Sequence, residues 1–228
     1  MVQPRRRLKD SVFRVDAKAE GMTVAIGGWS PVRDEAGQIR KERSPWFSIR
    51  LDEKSAPWAF SRGLPARAIS SLELLASTVA FMLLPDSSKK LEGARGAVMV
   101  SGFTDSQVSA NVIRRGMTTC FPLCCVVMEL AAQLEKRNAE LALEWAPRDQ
   151  NREADALADG RTEGFEESNR ISAEITELEW LLLPELMQAG MEFHGAGGRP
   201  RDGVAAAPQP GGADKRRRQA KLREREPW

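Results

Sequence analysis

Three short segments of alternating character follow one another before any helical repeat begins, and that order constrains the fold more than any other feature of the chain. In SVFRVDAKA, Val12, Arg14 and Asp16 alternate with Phe13 and Val15, the period of two that a strand requires. TVAIGGW reads as a second strand, and PWFSIRL, inside a proline-punctuated polar stretch between Pro31 and Leu64, as a third. Strands in succession without a helix between them imply an antiparallel meander. The period then changes. Ile69, Leu72, Ala76, Val79 and Leu83 recur at steps of three and four, which predicts a helix stopped by Pro85. GAVMVSGFTD, entered through glycines, predicts a buried strand ending at Asp105. A short helix over SQVSANVIRR closed by Gly116, and a longer one from about Phe121 to Asn138 burying Leu123, Val126, Val127, Leu130 and Leu134, come next. ELALEW is a fifth strand, and Asn151 is placed to cap a last helix, READALADG. The order βββαβααβα predicts an α/β domain with a mixed five-stranded sheet flanked by helices.

Beyond Gly164 the stripe Ile171, Ile175, Leu178 and Leu182 predicts an extra amphipathic helix over ISAEITELEWLLLPELM. From Gly195 the composition turns to Gly, Pro, Ala and Arg, which predicts a disordered basic tail. Four segments result: a basic arm over 1–10, the α/β domain over 11–162, a helical extension over 163–194 and the tail over 195–228. The net charge of +2 is segregated, at +3 in the arm, +5 over 199–228 and −6 between them. An acidic body with basic ends can bind a polyanion through divalent cations or through the ends themselves.

With 42% hydrophobic and 29% charged residues the balance is that of a water-soluble domain, and a monomer is expected. No apolar run is judged to reach the roughly 18 to 20 residues of a bilayer span, and MVQPRRRLKD lacks the apolar stretch of a secretory signal. An intracellular protein without a membrane partner is expected, with DKRRRQAKLRER a candidate nuclear address and the cytoplasm the alternative. Cys120, Cys124 and Cys125 crowd one apolar segment and read as buried thiols rather than zinc ligands. The single histidine, His194, lies in a glycine-rich exit, which counts against hydrolases that need a histidine base. Five of the six tryptophans, Trp29, Trp46, Trp58, Trp145 and Trp180, read as core or loop anchors.

Four acidic residues stand where carboxylates are costly. Asp16 lies at the end of an apolar strand, Glu73 within a helix's apolar run, Asp105 at the end of a buried strand, and Asp155 between Ala154 and Ala156. Each alone reads as a solvated or capping group. Four of them converging repel one another unless a cation neutralises them, and hard magnesium or manganese ions suit an all-carboxylate site.

An aspartate in the first strand (RVDAKA), a glutamate in the first helix (SSLELLAS), TDSQ closing the fourth strand, and WAPRDQNREADALADG form an ordered set that resembles the ribonuclease H family. The last piece is similar to the W-x-P-R-x-x-N-x-x-A-D-x-L form of plant-type and retroelement members. The resemblance spans about residues 11–162. It implies a ribonuclease H-like fold, cleavage of the RNA strand of RNA–DNA hybrids, and two Mg²⁺ or Mn²⁺ ions held by Asp16, Glu73, Asp105 and Asp155 as the catalytic residues. It further implies that Asp16 bridges both ions, with Asp155 completing one site and Glu73 and Asp105 the other; two such ions clamp the attacking and leaving oxygens of an in-line displacement. The retroelement branch leaves open a further alternative, that the chain is the end of a longer polyprotein with a reverse transcriptase polymerase domain as partner.

Two features depart from the pattern. The glycine-rich turn after the first aspartate is replaced by AKAEGMTVAIGGW, and Arg148 with Asp149 stand in the loop where many members carry a histidine. Thr104, Ser106, Gln107, Asn111, Arg148 and Asn151 are the candidate nucleic-acid contacts, through phosphate or 2′ hydroxyls, although capping the helix after Asp105 serves equally for the residues next to it. Two rivals stay open: a decayed domain that binds nucleic acid without cutting, and a 3′ to 5′ exonuclease on the same fold.

Overall fold

The computed structural model describes residues 6–61, 63–84 and 98–196, with side chains from residue 12 onward. Residues 1–192 form one compact unit; of the second, which begins at Phe193, only the last helical residues to Ala196 are described. The expected disordered tail therefore lies outside the described residues apart from its first two positions.

The first strand, β1, runs over Arg6–Glu20 and starts five residues before the alternation predicts. It is followed by β2 (Thr23–Trp29), β3 (Trp46–Leu51), a single helical turn α1 (Pro57–Phe60) and the long helix α2 (Ile69–Leu83). Then come β4 (Val98–Thr104), α3 (Gln107–Arg115), α4 (Leu123–Lys136), β5 (Ala139–Trp145) and α5 (Arg152–Ala158). The sheet order is β3-β2-β1-β4-β5. The β1–β2 and β2–β3 pairs are antiparallel, whereas β4 runs parallel to β1 and β5 parallel to β4. This is the mixed five-stranded sheet that the order of periods predicts.

Placing β1 at the centre buries both of its faces. Phe13, Val15 and Ala17 enter the main core with Val24 and Ile26 of β2, Phe47 and Ile49 of β3, and Leu72, Ala76 and Val79 of α2. Alternation sends Asp16 to the other face. There a smaller core of Trp29, Trp46, Ala154 and Leu157 seats α5. Gly27, the antiparallel partner of Asp16, makes that seat possible: a Cβ there would stand 2.4 Å from the Ala158 nitrogen. Pro65–Leu83, which includes α2, is long and apolar enough to cross a bilayer, contrary to the sequence reading; it is mostly buried inside this core.

The segment after α5 departs from expectation. It contains two isolated 3-10 turns, Glu167–Asn169 and Ile175–Glu177, and a helix, α6, only at Leu183–Ala196. Pro184 explains the shift, since proline has no N–H to donate to the carbonyl four residues before it and so cannot sit in a helix interior, whereas it suits a helix's first turn. Phe165 packs edge-on against Trp29 at 5.4 Å, the Trp46 indole donates to the Glu166 carbonyl at 2.9 Å, and the Ile171 amide donates to the Trp46 carbonyl at 2.7 Å. The extension thus covers the outer edge of β3 near its start. Farther on, the buried Glu129 of α4 accepts the backbone amides of Leu181, Leu182 and Leu183, the last two at 2.7 Å, and so anchors the start of α6. Of the cysteines, Cys125 is buried and Cys124 half-buried, but Cys120 is exposed because it precedes α4 in an open loop.

Candidate metal centre

Four elements deliver the four predicted carboxylates to one cleft of about 650 Å³, which Asp16, Glu73, Asp105, Asp155, Ser106 and Arg148 help to line. Asp16 comes from the middle strand, Glu73 from the second turn of α2, Asp105 from the residue after β4, and Asp155 from α5. Asp16 and Glu73 are 4% and 7% exposed, whereas Asp105 and Asp155 are half-buried. One carboxylate oxygen each of Asp16, Glu73 and Asp105 lies within 4.8 Å of the other two. Asp155 stands at the rim, outside this tight trio.

The electrostatics follow from burial and crowding. Removal from water, then the charge of Asp105 and a hydrogen bond to it, and then Asp155, push the Asp16 carboxyl up to about 8. Burial, followed by Asp16 and Asp105, pushes Glu73 up to about 9. Glu73 Oε2 is fully buried and has no hydrogen-bond partner. A buried acceptor without a donor costs on the order of 1–3 kcal/mol, and a carboxylate more, so this oxygen marks where a cation fits. The donor set is oxygen only, which suits magnesium or manganese rather than a softer metal.

Basic side chains ring the cleft. Arg148 Nη2 donates to Asp155 Oδ1 at 2.8 Å, and Arg148 Nε lies 3.9 Å from Asp105 Oδ2. These carboxylates raise the Arg148 guanidinium above its usual value, the bond to Asp155 being the largest cause. Arg161 approaches the other oxygen of Asp155 at 3.3 Å.

The predicted nucleic-acid contacts divide. Ser106 and Arg148 line the cleft, and Gln107 is exposed at the start of α3. Asn111 is exposed but borders a different groove, between α3 and β5, where its Oδ1 accepts a bond from Arg114 at 2.8 Å. Thr104 and Asn151 are corrected: they are 0% and 1% exposed and present no surface to a ligand. Thr104 Oγ1 accepts the Ser106 amide at 3.1 Å, and Ser106 Oγ caps α3 by accepting the Ser109 amide at 3.3 Å. Asn151 stands at the N-cap position of α5 without making the cap; its Nδ2 donates to the Val15 carbonyl at 2.8 Å and ties α5 to the strand that bears Asp16.

Three contributors escape the sequence reading. Gly27 admits α5, Arg161 touches Asp155, and Trp145, 47% exposed, donates its indole N–H to the Asp105 carbonyl at 3.0 Å and fixes the backbone there. Gly27 leaves a trace as a glycine inside a strand pattern, which signals close backbone approach, and Trp145 as a loop anchor that opens the WAPRDQNREADALADG segment, whereas Arg161 leaves none.

No family model matches the chain, and no curated protein matches it. Solved structures do. RNase H1 from the halophilic archaeon Halobacterium salinarum NRC-1 is similar at 18% identity, over 66% of this chain and 95% of that one, with a TM-score of 0.39. LC11-RNase H1 in complex with an RNA/DNA hybrid is similar at 16% identity over 65% and 94%, with a TM-score of 0.42. The protease-reverse transcriptase of prototype foamy virus is similar at 16% identity over 68% of this chain and 21% of that one, with a TM-score of 0.44. Sheet order, strand directions and the placing of helices give the chain a ribonuclease H-like fold.

Proposed function

We propose that the chain is a divalent-metal-dependent ribonuclease that hydrolyses the RNA strand of RNA–DNA hybrids. The observation that carries this reading is the convergence of Asp16, Glu73 and Asp105 within 4.8 Å, with Glu73 Oε2 buried and unpartnered and Asp155 on the same cleft. Asp16, Glu73 and Asp105 would hold magnesium or manganese, with Asp155 completing the set, and the chemistry supplied there when the ions are bound would be charge neutralisation and polarisation of the phosphoryl oxygens.

The chain's own side chains supply the rest. Glu73 and Asp16 are fixed by burial, so their oxygens need no reorganisation when a phosphate arrives. Trp145 holds the Asp105 backbone and Asn151 holds α5 to β1, which keeps the carboxylates in register. Arg148, 76% exposed at its side chain, can swing from Asp155 to a backbone phosphate. Ser106 and Gln107 at the start of α3 are placed to meet phosphate or a 2′ hydroxyl, the group that separates RNA from DNA. A retroelement origin, with a reverse transcriptase polymerase domain as partner, belongs to the same reading and rests on the LELLAS, TDSQ and WAPRDQNREADALA segments.

The test is a panel of labelled RNA–DNA hybrid, double-stranded RNA, single-stranded RNA and DNA with Mg²⁺ or Mn²⁺. Internal cutting of the hybrid's RNA strand alone is expected. Stepwise loss of DNA ends would make the protein an exonuclease, and intact substrates in every lane would leave a domain that binds without cutting.

A further inference from the structure

Asp155 of α5 and Asp159 at its C-cap stand four residues apart, where like charges repel each other. The chain leaves the helix through Gly160 at φ 76°, a left-handed conformation. The Gly160 amide donates to the Leu157 carbonyl at 3.0 Å and the Arg161 amide to the Ala156 carbonyl at 2.8 Å, the paired bonds of a Schellman exit. That exit folds Arg161 back over the final turn. Its Nη2 lies 2.7 Å from Asp159 Oδ2 and 3.3 Å from Asp155 Oδ2, between the two carboxylates. Asp159 is held from the far side by Lys18 Nζ at 2.7 Å. Lys18 stands two residues after Asp16, on the same face of β1. Lys18, Asp159, Arg161 and Asp155 therefore form an alternating line of charge that joins the strand bearing one candidate ligand to the side chain of another.

Building on the reading that the four carboxylates hold divalent cations, we propose that Arg161 is a positioning residue for Asp155. Anchored through Asp159 and Lys18, it holds Oδ2, so that Oδ1, the oxygen Arg148 meets at 2.8 Å, is presented to the cleft. Exposed ion pairs contribute little to folding, whereas partners that orient a ligating side chain govern metal affinity about 10- to 100-fold. The consequence of losing Arg161 thus falls on cation binding and spares the fold.

The experiment titrates Mn²⁺ calorimetrically into the full chain as wild type, Arg161→Met, Arg161→Lys and Asp159→Asn, with a thermal unfolding curve for each. Arg161→Met and Asp159→Asn are expected to weaken Mn²⁺ binding about 10-fold or more with Tm unchanged. Arg161→Lys recovers most of the loss, and Arg161→Met adds nothing in an Asp155→Asn background. On the hybrid, the Mn²⁺ concentration for half-maximal cleavage rises by the same factor while KM for the hybrid stays constant. An Arg161→Met protein that binds Mn²⁺ as tightly as wild type, or loses the same affinity in the Asp155→Asn background, overturns the positioning role and leaves the metal centre standing. A wild type that binds no Mn²⁺ overturns the metal centre and this role with it.

Discussion

Asp16 and Glu73 are carboxyl groups that the fold takes out of water and sets beside a third. With their pKa values raised to about 8 and about 9, against roughly 4 in an unfolded chain, the folded protein binds protons more tightly than the unfolded one. Stability from this pair is therefore complete below about pH 4 and is lost as pH rises through 8 and 9. In EDTA, Tm is expected to fall by about 5 °C or more between pH 5 and pH 9, and Mg²⁺ at pH 9 should restore it. Asp16→Asn together with Glu73→Gln should flatten the profile; a wild-type Tm that is flat across this range would show that the two groups are not displaced from their ordinary values. The four carboxylates are legible in the sequence as a set, through RVDAKA, SSLELLAS, TDSQ and WAPRDQNREADALADG in order, and not through any one of them alone. Thr104 and Asn151 were misjudged because a polar residue beside a site signal is as readily consumed by a neighbouring backbone group, and here both are. Arg161 was invisible because its reach depends on the left-handed turn at Gly160 and not on any spacing of like residues.

At the scale of elements, the centre depends on how closely α5 approaches β2. Gly27→Ala would drive a methyl into backbone at 2.4 Å, so α5 must move outward and take Asp155 with it. A loss of about 2 kcal/mol in stability together with weaker Mn²⁺ binding is expected, measured by thermal unfolding and metal titration. Unchanged values for both would mean that α5 has slack. Glu129 and Glu73 look alike in hydropathy pattern, each a glutamate within a helix's apolar face; the SSLELLAS segment singles out Glu73, and the structure shows what each does. Glu73 faces the cleft with an unpartnered oxygen, whereas Glu129 is saturated by the amides of Leu181, Leu182 and Leu183 and by the Gln133 side chain. Glu129→Ala strands those amides and should cost on the order of 3 kcal/mol in urea unfolding, with metal affinity intact. A change in metal affinity instead would assign Glu129 a part in the site. The helix that the stripe from Ile171 to Leu182 predicts does not run on into α6 because Pro184 lacks the N–H that a helix interior needs, and periodicity alone does not weigh that missing donor.

For the whole molecule, the alternation of periods was enough to give the element order and the mixed sheet, since a central strand buried on both faces and an amphipathic helix leave different signatures. The C-terminal extension's path along the β3 edge was not legible, because it depends on Phe165 meeting Trp29 and Trp46 from elements far apart in the chain. An acidic cleft in a chain of net charge +2 suits a polyanion only when cations mediate the contact, so the account stands or falls on metal-dependent cutting. The most direct measurement is the rate at which an RNA–DNA hybrid labelled in its RNA strand is cut as Mg²⁺ is titrated, for wild type, Asp16→Asn and Asp105→Asn. The proposed metal-dependent activity predicts Mg²⁺-dependent cutting of the RNA strand by wild type, abolished by EDTA and reduced at least about 1,000-fold in both variants, with all three proteins equally folded. Cutting that persists in EDTA, or in either variant at the wild-type rate, would contradict it.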